Sequence, residues 1–218
     1  MNRFEPRVLV ACEYSGTVRD AFLDLGFDAY SCDLLPDENG ETERHFQCDV
    51  REVLGLDWDL IIVAHPPCTR LCNSGVRWLK EPPKGKTLDQ MWQELDEGCE
   101  LFSTFLNAPC PRIAIENPVM HKHAKERIEG FTEASQWIQP YEFGHAESKR
   151  TGLWLKGLPP LEPTEVISEG IEQRVHRMAP GPNRWKERSR FFAGIAKAMA
   201  KQWGEYAEAE MMKEQCAA

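Results

Sequence analysis

Two short motifs carry side chains that could perform covalent chemistry on a ring. In Pro66-Pro67-Cys68 the prolines fix the backbone and hold the thiol on a stiff loop. Glu116-Asn117-Pro118 places a carboxyl group after another apolar run. A thiolate that adds to C6 of a pyrimidine and a carboxyl group that donates a proton at N3 together activate C5 toward a methyl donor. The alternative for Glu116 is a helix or turn cap.

The eight cysteines are interpreted as reduced thiols rather than disulfides, because several end apolar runs. A free thiol has a pKa of about 8.5, so activation of Cys68 needs a helix terminus or a nearby cation such as Arg70. Cys72 lacks the proline frame and is predicted to be a packing residue. His65-x-x-Cys68-x-x-x-Cys72 has no second half at zinc-site spacing, so no metal site is predicted.

The elements that must position these motifs alternate between strands and helices. Strands are predicted at 7–12, 28–32, 45–48, 59–64, 111–115, 135–139 and 152–155, with helices at 18–25, 88–106 and 191–203. Strands that alternate with helical segments indicate a doubly wound, mainly parallel, Rossmann-like α/β sheet with a small irregular C-terminal appendage. We therefore divide the chain into a catalytic domain (1–158), a short basic and proline-rich segment (159–186) and a C-terminal helix that packs back (187–218).

Residues that follow the first three strands could bind a nucleotide-like ligand, since ligands bind beyond the carboxyl ends of strands in open α/β sheets. Gly16 allows close approach to the first turn, Asp33 could accept hydrogen bonds from ribose hydroxyls, and Asp49 could meet an adenine amino group. Each aspartate alone fits an ordinary exposed or capping role. Their joint position favours a nucleoside with a short charged tail.

The net charge of −9 argues against a general surface for polyanions, which bind through lysine and arginine. A local basic patch is nevertheless present in the C-terminal third: Lys149, Arg150, Lys156, Arg174, His176, Arg177, Arg184, Lys186, Arg188 and Arg190. The alternative is a solvated face. No apolar run approaches the ~18 residues of a membrane span, and the start lacks the apolar stretch of a signal peptide, so a cytoplasmic protein is expected.

In this order, the motifs resemble those of the DNA cytosine-5 methyltransferases. The resemblance covers residue 7 to about residue 203 and is strongest to the short, phage-associated type that lacks a large target-recognition domain. It implies C5-methylation of cytosine in DNA with S-adenosyl-L-methionine as the cofactor, on a methyltransferase version of the Rossmann-like sheet. It also implies the cytoplasm of a bacterium or of a phage-infected host cell.

The resemblance assigns a role to each motif residue. Cys68 becomes the covalent nucleophile and Glu116 the cytosine-binding acid, while Lys149 and Arg150 take the catalytic place of the family's Gln-x-Arg-x-Arg segment. The cofactor residues are Cys12, Glu13, Tyr14, Ser15, Gly16, Asp33, Leu34, Asp49, Val50 and Pro66. The substrate residues are Pro67, Arg70, Asn117, Arg174, Arg184 and Lys186.

Several departures from the family leave other functions open. Tyr14-Ser15-Gly16 stands where Phe-x-Gly is common, Glu-Asn-Pro replaces Glu-Asn-Val, and only residues 156–190 separate the last strand from the last helix. Target recognition would then depend on this segment, on the Cys68–Lys86 loop, on a second copy of the chain or on a partner protein. The alternatives are methylation of tRNA or of a free pyrimidine nucleotide, and a binding module without activity.

Overall fold

The computed structural model describes residues 5–40, 43–64, 66–179, 181 and 184–217, with the backbone alone at 185, 187 and 189. His65 of the possible metal motif lies outside the described residues, as do 180, 182 and 183 of the basic segment. No helix in the described part of the chain has the length and apolar character that a membrane crossing needs.

In the part of the chain that the structure describes, seven strands form one sheet in the order β3-β2-β1-β4-β5-β7-β6. They are β1 (Arg7–Ala11), β2 (Asp28–Asp33), β3 (His45–Gln47), β4 (Leu60–Val63), β5 (Ile113–Asn117), β6 (Gln136–Ile138) and β7 (Thr151–Lys156). The first five in spatial order are parallel, and β7 runs antiparallel to both of its neighbours. The predicted doubly wound, mainly parallel sheet is confirmed. Its strand order reverses between β1 and β4, where ligands bind in sheets of this kind.

Within the described residues, six α-helices accompany the sheet: α1 (Thr17–Leu23), α2 (Leu88–Leu106), α3 (Lys122–Lys125), α4 (Arg174–Arg177), α5 (Arg184–Ser189) and α6 (Ala193–Ala217). The bounds of α2 are those predicted, since a capping box of Thr87 and Gln90 starts the helix. The predicted end of the last helix near Trp203 is wrong. The apolar stripe ends there, but the strong helix formers that follow carry α6 on to Ala217.

Two apolar layers cover the two faces of the sheet. Along β5, Ile113 and Ile115 pack in the layer that includes α2, whereas Ala114 packs with α1 and α6 in the other. Trp203 of α6 is fully buried in this second layer. Because side chains alternate along a strand, the next residue on the α6 face is Glu116.

The prediction that helices alternate with all of the first four strands is wrong for two connections. Within the described residues, no α-helix joins β2 to β3 or β3 to β4, and the second connection holds only a 3-10 helix at Val50–Glu52. This connection buries Val53, Leu54 and Trp58 against the sheet, so it covers the face without a helix. Between β7 and α6 the chain is mostly irregular, as predicted, whereas the division into three segments stays a prediction.

Candidate active site

The carboxyl ends of the central parallel strands bring the predicted site residues to one edge of the sheet. Ala11 at the end of β1 lies beside Cys32 of β2 and Val63 of β4. Val63 in turn lies beside Ile115 of β5. The first turn, Asp33, the Cys68 loop and Glu116 therefore emerge together, as the strand pattern predicted.

Cys68 is half-buried on its loop, between buried Pro66 with exposed Pro67 on one side and Cys72 on the other. A hydrogen bond with the Cys72 thiol and burial raise the pKa of Cys68 well above its ordinary value. The negative charge of Glu116 raises this pKa further, while the positive charge of Lys149 lowers it. The three groups are thus within electrostatic range of one another, and the positive charge of Lys149 favours the thiolate form of Cys68.

The predicted activating cation, Arg70, is engaged elsewhere. Its Nε lies 2.6 Å from Oε2 of Glu94 on α2, and Lys86 binds the other oxygen of the same carboxylate. Among the charges that act on the pKa of Cys68, Lys149 is the cation that lowers it. The activating role of Arg70 stays a prediction.

Cys72 is buried, as expected of a packing residue, but its sulfur also belongs to the surroundings of Cys68. The Cys68 thiol and hydrogen bonds from Ser74 and Gly75 lower the pKa of Cys72. Cys72 Sγ lies 3.0 Å from the Ser74 hydroxyl oxygen. A variant at Cys72 therefore tests whether this buried neighbour influences the half-buried thiol of Cys68.

Glu116 is buried at the end of β5, with Oε1 3.9 Å from Lys149 Nζ. Burial raises the pKa of Glu116, and Lys149 and the Thr151 hydroxyl oppose this rise. Its carboxyl group faces a small pocket lined by Lys149, Thr151, Ile138, Ile195, Phe191 and Phe192. A carboxyl group that stays protonated in such a pocket can donate a proton or a hydrogen bond. Thr151 and the two phenylalanines were not among the residues predicted from the sequence, although an aromatic pair just before the last helix was a visible signal.

The other two residues predicted beside Glu116 point elsewhere. Arg150 is exposed, and its guanidinium carbon lies 4.3 Å from the centroid of the Trp137 ring. Asn117 is buried and donates from Nδ2 to Pro118 O at 3.0 Å, while its Oδ1 has no hydrogen-bond partner among the described residues. Of the two predicted catalytic cations, the structure brings only Lys149 to Glu116.

The first turn, which follows β1, is tight, and the carboxylate of Glu13 engages part of its backbone N–H groups. Buried Glu13 accepts hydrogen bonds from Val18 N at 2.8 Å and from Arg19 N at 3.1 Å, so two amides at the start of α1 already have a protein partner. Burial raises the pKa of Glu13 to about 7, against the effect of these two bonds. Glu13 thus holds the turn in shape instead of offering its carboxylate to a ligand.

The remaining predicted cofactor residues surround this turn. Burial raises the pKa of Cys12, and both Asp33 and Asp49 raise it further, which places the two carboxylates near Cys12. Asp33 Oδ1 accepts from Leu35 N at 2.9 Å, and both oxygens of Asp49 bind Arg51. Asp33 is half-buried with exposed Leu34 after it, and Tyr14, Ser15 and Val50 are buried.

The basic segment reaches the same edge of the sheet. Buried Glu147 lies two residues before Lys149 in the sequence. It accepts hydrogen bonds at 3.2 Å from both Arg174 Nε and Val175 N, and these bonds anchor the start of α4. Lys186 Nζ of α5 lies 5.7 Å from the centroid of the Tyr14 ring in the first turn. Arg184 Nε donates to Met178 O at 2.9 Å, which ties α5 to the end of α4. Three predicted substrate residues therefore lie on a segment that borders the site.

Replacing Gly16 by alanine is expected to lower the free energy of unfolding by about 1–2 kcal/mol, the cost of a left-handed conformation for a residue with a Cβ. Gly16 has φ 70°, and a Cβ there would collide with the Arg19 guanidinium. Equilibrium urea unfolding measures the change. Gly55→Ala is the control, because a Cβ there meets nothing within 4 Å. Equal effects of the two substitutions would contradict the strained turn.

Comparison with known proteins gives structural neighbours only. No protein-family model matches the chain, and no curated protein matches it. A candidate DNA modification methyltransferase encoded within an E. coli prophage aligns over 73% of this chain and 51% of its own, with 17% identity and a TM-score of 0.45. A methyltransferase of Entamoeba histolytica aligns over 75% of this chain and 58% of its own, with 13% identity and a TM-score of 0.44. This chain thus spans little more than half the length of either neighbour.

Proposed function

We propose that this chain is an S-adenosyl-L-methionine-dependent methyltransferase that acts on C5 of cytosine in DNA through a covalent bond between Cys68 and C6. The observation that carries the proposal is the convergence of Cys68, Glu116 and Lys149 at the carboxyl edge of the sheet. A thiol, a buried acid and a cation are the groups that this reaction requires. The motif order, and the strand order with its inverted β7, support the same family.

The reaction proceeds in steps that these residues can perform. The Cys68 thiolate forms a bond to C6 while protonated Glu116 gives its proton to N3, so the ring becomes an enamine. S-adenosyl-L-methionine, held by the first turn, Asp33 and Asp49, would supply the methyl group to C5, and its sulfonium sulfur would leave as the neutral thioether of the demethylated cofactor. Loss of the C5 proton to a base and return of the N3 proton to Glu116 expel the Cys68 thiolate and restore the aromatic ring. Lys149 stabilises negative charge on Cys68 and Glu116 in turn.

The first turn and the ends of β2 and β3 fit the cofactor. The turn places Cys12 in a left-handed conformation with φ 57°, and the carboxylates of Asp33 and Asp49 lie near it, close to the switch point of the sheet. Asp33 would accept from ribose hydroxyls, while exposed Leu34 would cover an apolar ring. When bound, S-adenosyl-L-methionine supplies the electrophilic methyl group. Calorimetry with the cofactor and with its demethylated product tests binding apart from catalysis.

The basic segment is the proposed contact with the DNA backbone. Arg184→Ala is expected to weaken DNA binding on all sequences alike and to reduce the slope of log K against log salt by about 1, as for one lost phosphate contact. Fluorescence anisotropy over a salt series measures this slope. Lys122→Ala is the control, since this exposed cation of α3 belongs to no predicted site. An unchanged slope for Arg184→Ala would remove this residue from the interface.

The acidic charge of the chain keeps free pyrimidine nucleotides, and the shortness of residues 156–190 keeps RNA, as a second class of substrate. Tritium transfer from labelled S-adenosyl-L-methionine to DNA, RNA and nucleotides, assayed side by side, decides between them. Incorporation into DNA alone supports the proposal, and incorporation only into RNA or nucleotides replaces its substrate. Cofactor binding without transfer to any of the three would favour a binding module.

A further inference from the structure

We propose that His121 is a positioning residue that fixes the Cys68 loop relative to Glu116. The inference rests on the proposed function, because it concerns the separation of the nucleophile from the acid. His121 belongs to none of the motifs identified in the sequence. It follows Glu116-Asn117-Pro118 closely along the chain and precedes α3 directly.

The backbone already joins the two catalytic segments in a short antiparallel ladder. Asn73 N donates to Val119 O, and His121 N donates to Leu71 O, both at 3.0 Å. Cys72 and Met120 form the bridge between these two bonds. The chain after Cys68 is therefore paired with the chain after Glu116, and His121 lies at one end of the pairing.

The His121 side chain completes this connection with both ring nitrogens. The side chain is buried, and Nδ1 accepts a hydrogen bond from Ala124 N at 3.1 Å in the first turn of α3. Because Nδ1 accepts, the proton of the neutral ring resides on Nε2, which donates to Arg70 O at 2.6 Å. Burial lowers the pKa of His121, and this favours the neutral form that the two bonds require.

Arg70 transmits this restraint to the nucleophile, because it is only two residues from Cys68. Its carbonyl is held by His121 and its guanidinium by Glu94 of α2, at 2.6 Å. The loop is also tight at Gly75, where a Cβ would collide with Thr69 O. Without the His121 bond, Arg70 would keep its ion pair with Glu94 but lose the restraint on its carbonyl oxygen. The loop could then move and shift Cys68 away from the pyrimidine ring bound by Glu116.

Two substitutions separate the two bonds of His121. Asparagine can replace Nδ1, because its side-chain oxygen caps helices, but it is too short to reach Arg70 O. Glutamine places an amide N–H near the position of Nε2 and can donate to Arg70 O. His121→Asn thus removes the restraint on the Cys68 loop and keeps the cap, whereas His121→Gln does the reverse.

His121→Asn is expected to lower kcat by about 10- to 100-fold, the scale of a misplacement of reacting groups by about 1 Å. The KM for the cofactor should stay nearly unchanged, since all of the proposed cofactor residues except Pro66 follow other strands. His121→Gln should recover most of kcat even if it lowers the melting temperature. Steady-state tritium transfer, with thermal unfolding of both variants, measures these effects. Equal losses in both variants, or a wild-type kcat in His121→Asn, would overturn the proposal.

Alkylation of Cys68 by iodoacetamide, followed by mass spectrometry, tests positioning without any methyl transfer. His121→Asn should change the rate several-fold as the loop loosens, and His121→Gln should not, with buried Cys99 and Cys110 as internal references. A change in the asparagine variant alone supports the positioning role, even if wild-type protein transfers no methyl group and the proposed function fails. Equal alkylation rates in all three proteins would refute the role, whatever the activity.

Discussion

Cys68→Ser is expected to abolish methyl transfer, with a loss in kcat of at least ~10³, because the substitution removes the covalent pathway itself. A serine hydroxyl ionises far less readily than a thiol, so the positive charge of Lys149 is not enough to produce a nucleophilic alkoxide. Serine is close to cysteine in volume, and the loop is shaped by Pro66 and Pro67, so the fold and cofactor binding should be retained. Tritium transfer to cytosine-containing DNA measures kcat, with urea unfolding as the check on folding.

Cys72→Ser is the matched control for this prediction. Its hydroxyl can keep the contact with Ser74, and its buried position prevents it from reaching a base, so the variant should retain activity. DNA with 5-fluorocytosine should trap the wild type and Cys72→Ser as complexes that survive denaturant, because fluorine cannot leave as the C5 proton does. Cys68→Ser should form no such complex. Full methylation by Cys68→Ser, or trapping through a different residue, would overturn the mechanism.

The strands and the main covering helix were predictable because their signals are local. β4 is a continuous apolar run, β5 begins with the apolar residues Ile113–Ile115, and α2 combines the Thr87 cap with a stripe from Met91 to Phe105. The connections after β2 and β3 were not predictable in this way. Whether a helix or an irregular segment covers a sheet face depends on how Trp58 and its neighbours pack against strands distant in sequence.

The convergence of Cys68 and Glu116 followed from strand order, but the partners of the charged side chains did not. Arg70 is two residues from Cys68 in sequence, yet it binds Glu94, which is 24 residues away along the chain. Lys149 reaches Glu116 because antiparallel β7 returns beside β5. Such pairings are set by tertiary contacts, so the sequence alone did not reveal that Arg70 pairs with Glu94 or that Lys149 pairs with Glu116.

Glu116→Gln is expected to lower kcat by about 10²–10⁴, the usual contribution of general acid catalysis, because an amide cannot give a proton to N3. The substitution keeps the shape of the side chain, so the pocket with Phe191 and Phe192 should persist. Tritium transfer measures kcat. The control is Glu142→Gln, at a half-buried acid that accepts from Gln139 N at 2.6 Å and has no part in the proposed reaction. A loss confined to Glu116→Gln is the expected result.

The pH dependence of kcat/KM separates an acid from a residue that only shapes the pocket. Burial raises the pKa of Glu116, and the pKa of Cys68 is raised further still. Between these two values, each unit of pH gives about tenfold more thiolate and about tenfold less protonated Glu116, so the wild-type profile should be level. In Glu116→Gln only the thiolate fraction of Cys68 still changes with pH. The residual kcat/KM of this variant should therefore rise about tenfold per pH unit over the same range. Parallel profiles for the two proteins would show that Glu116 gives up no proton in the rate-determining attack on C6.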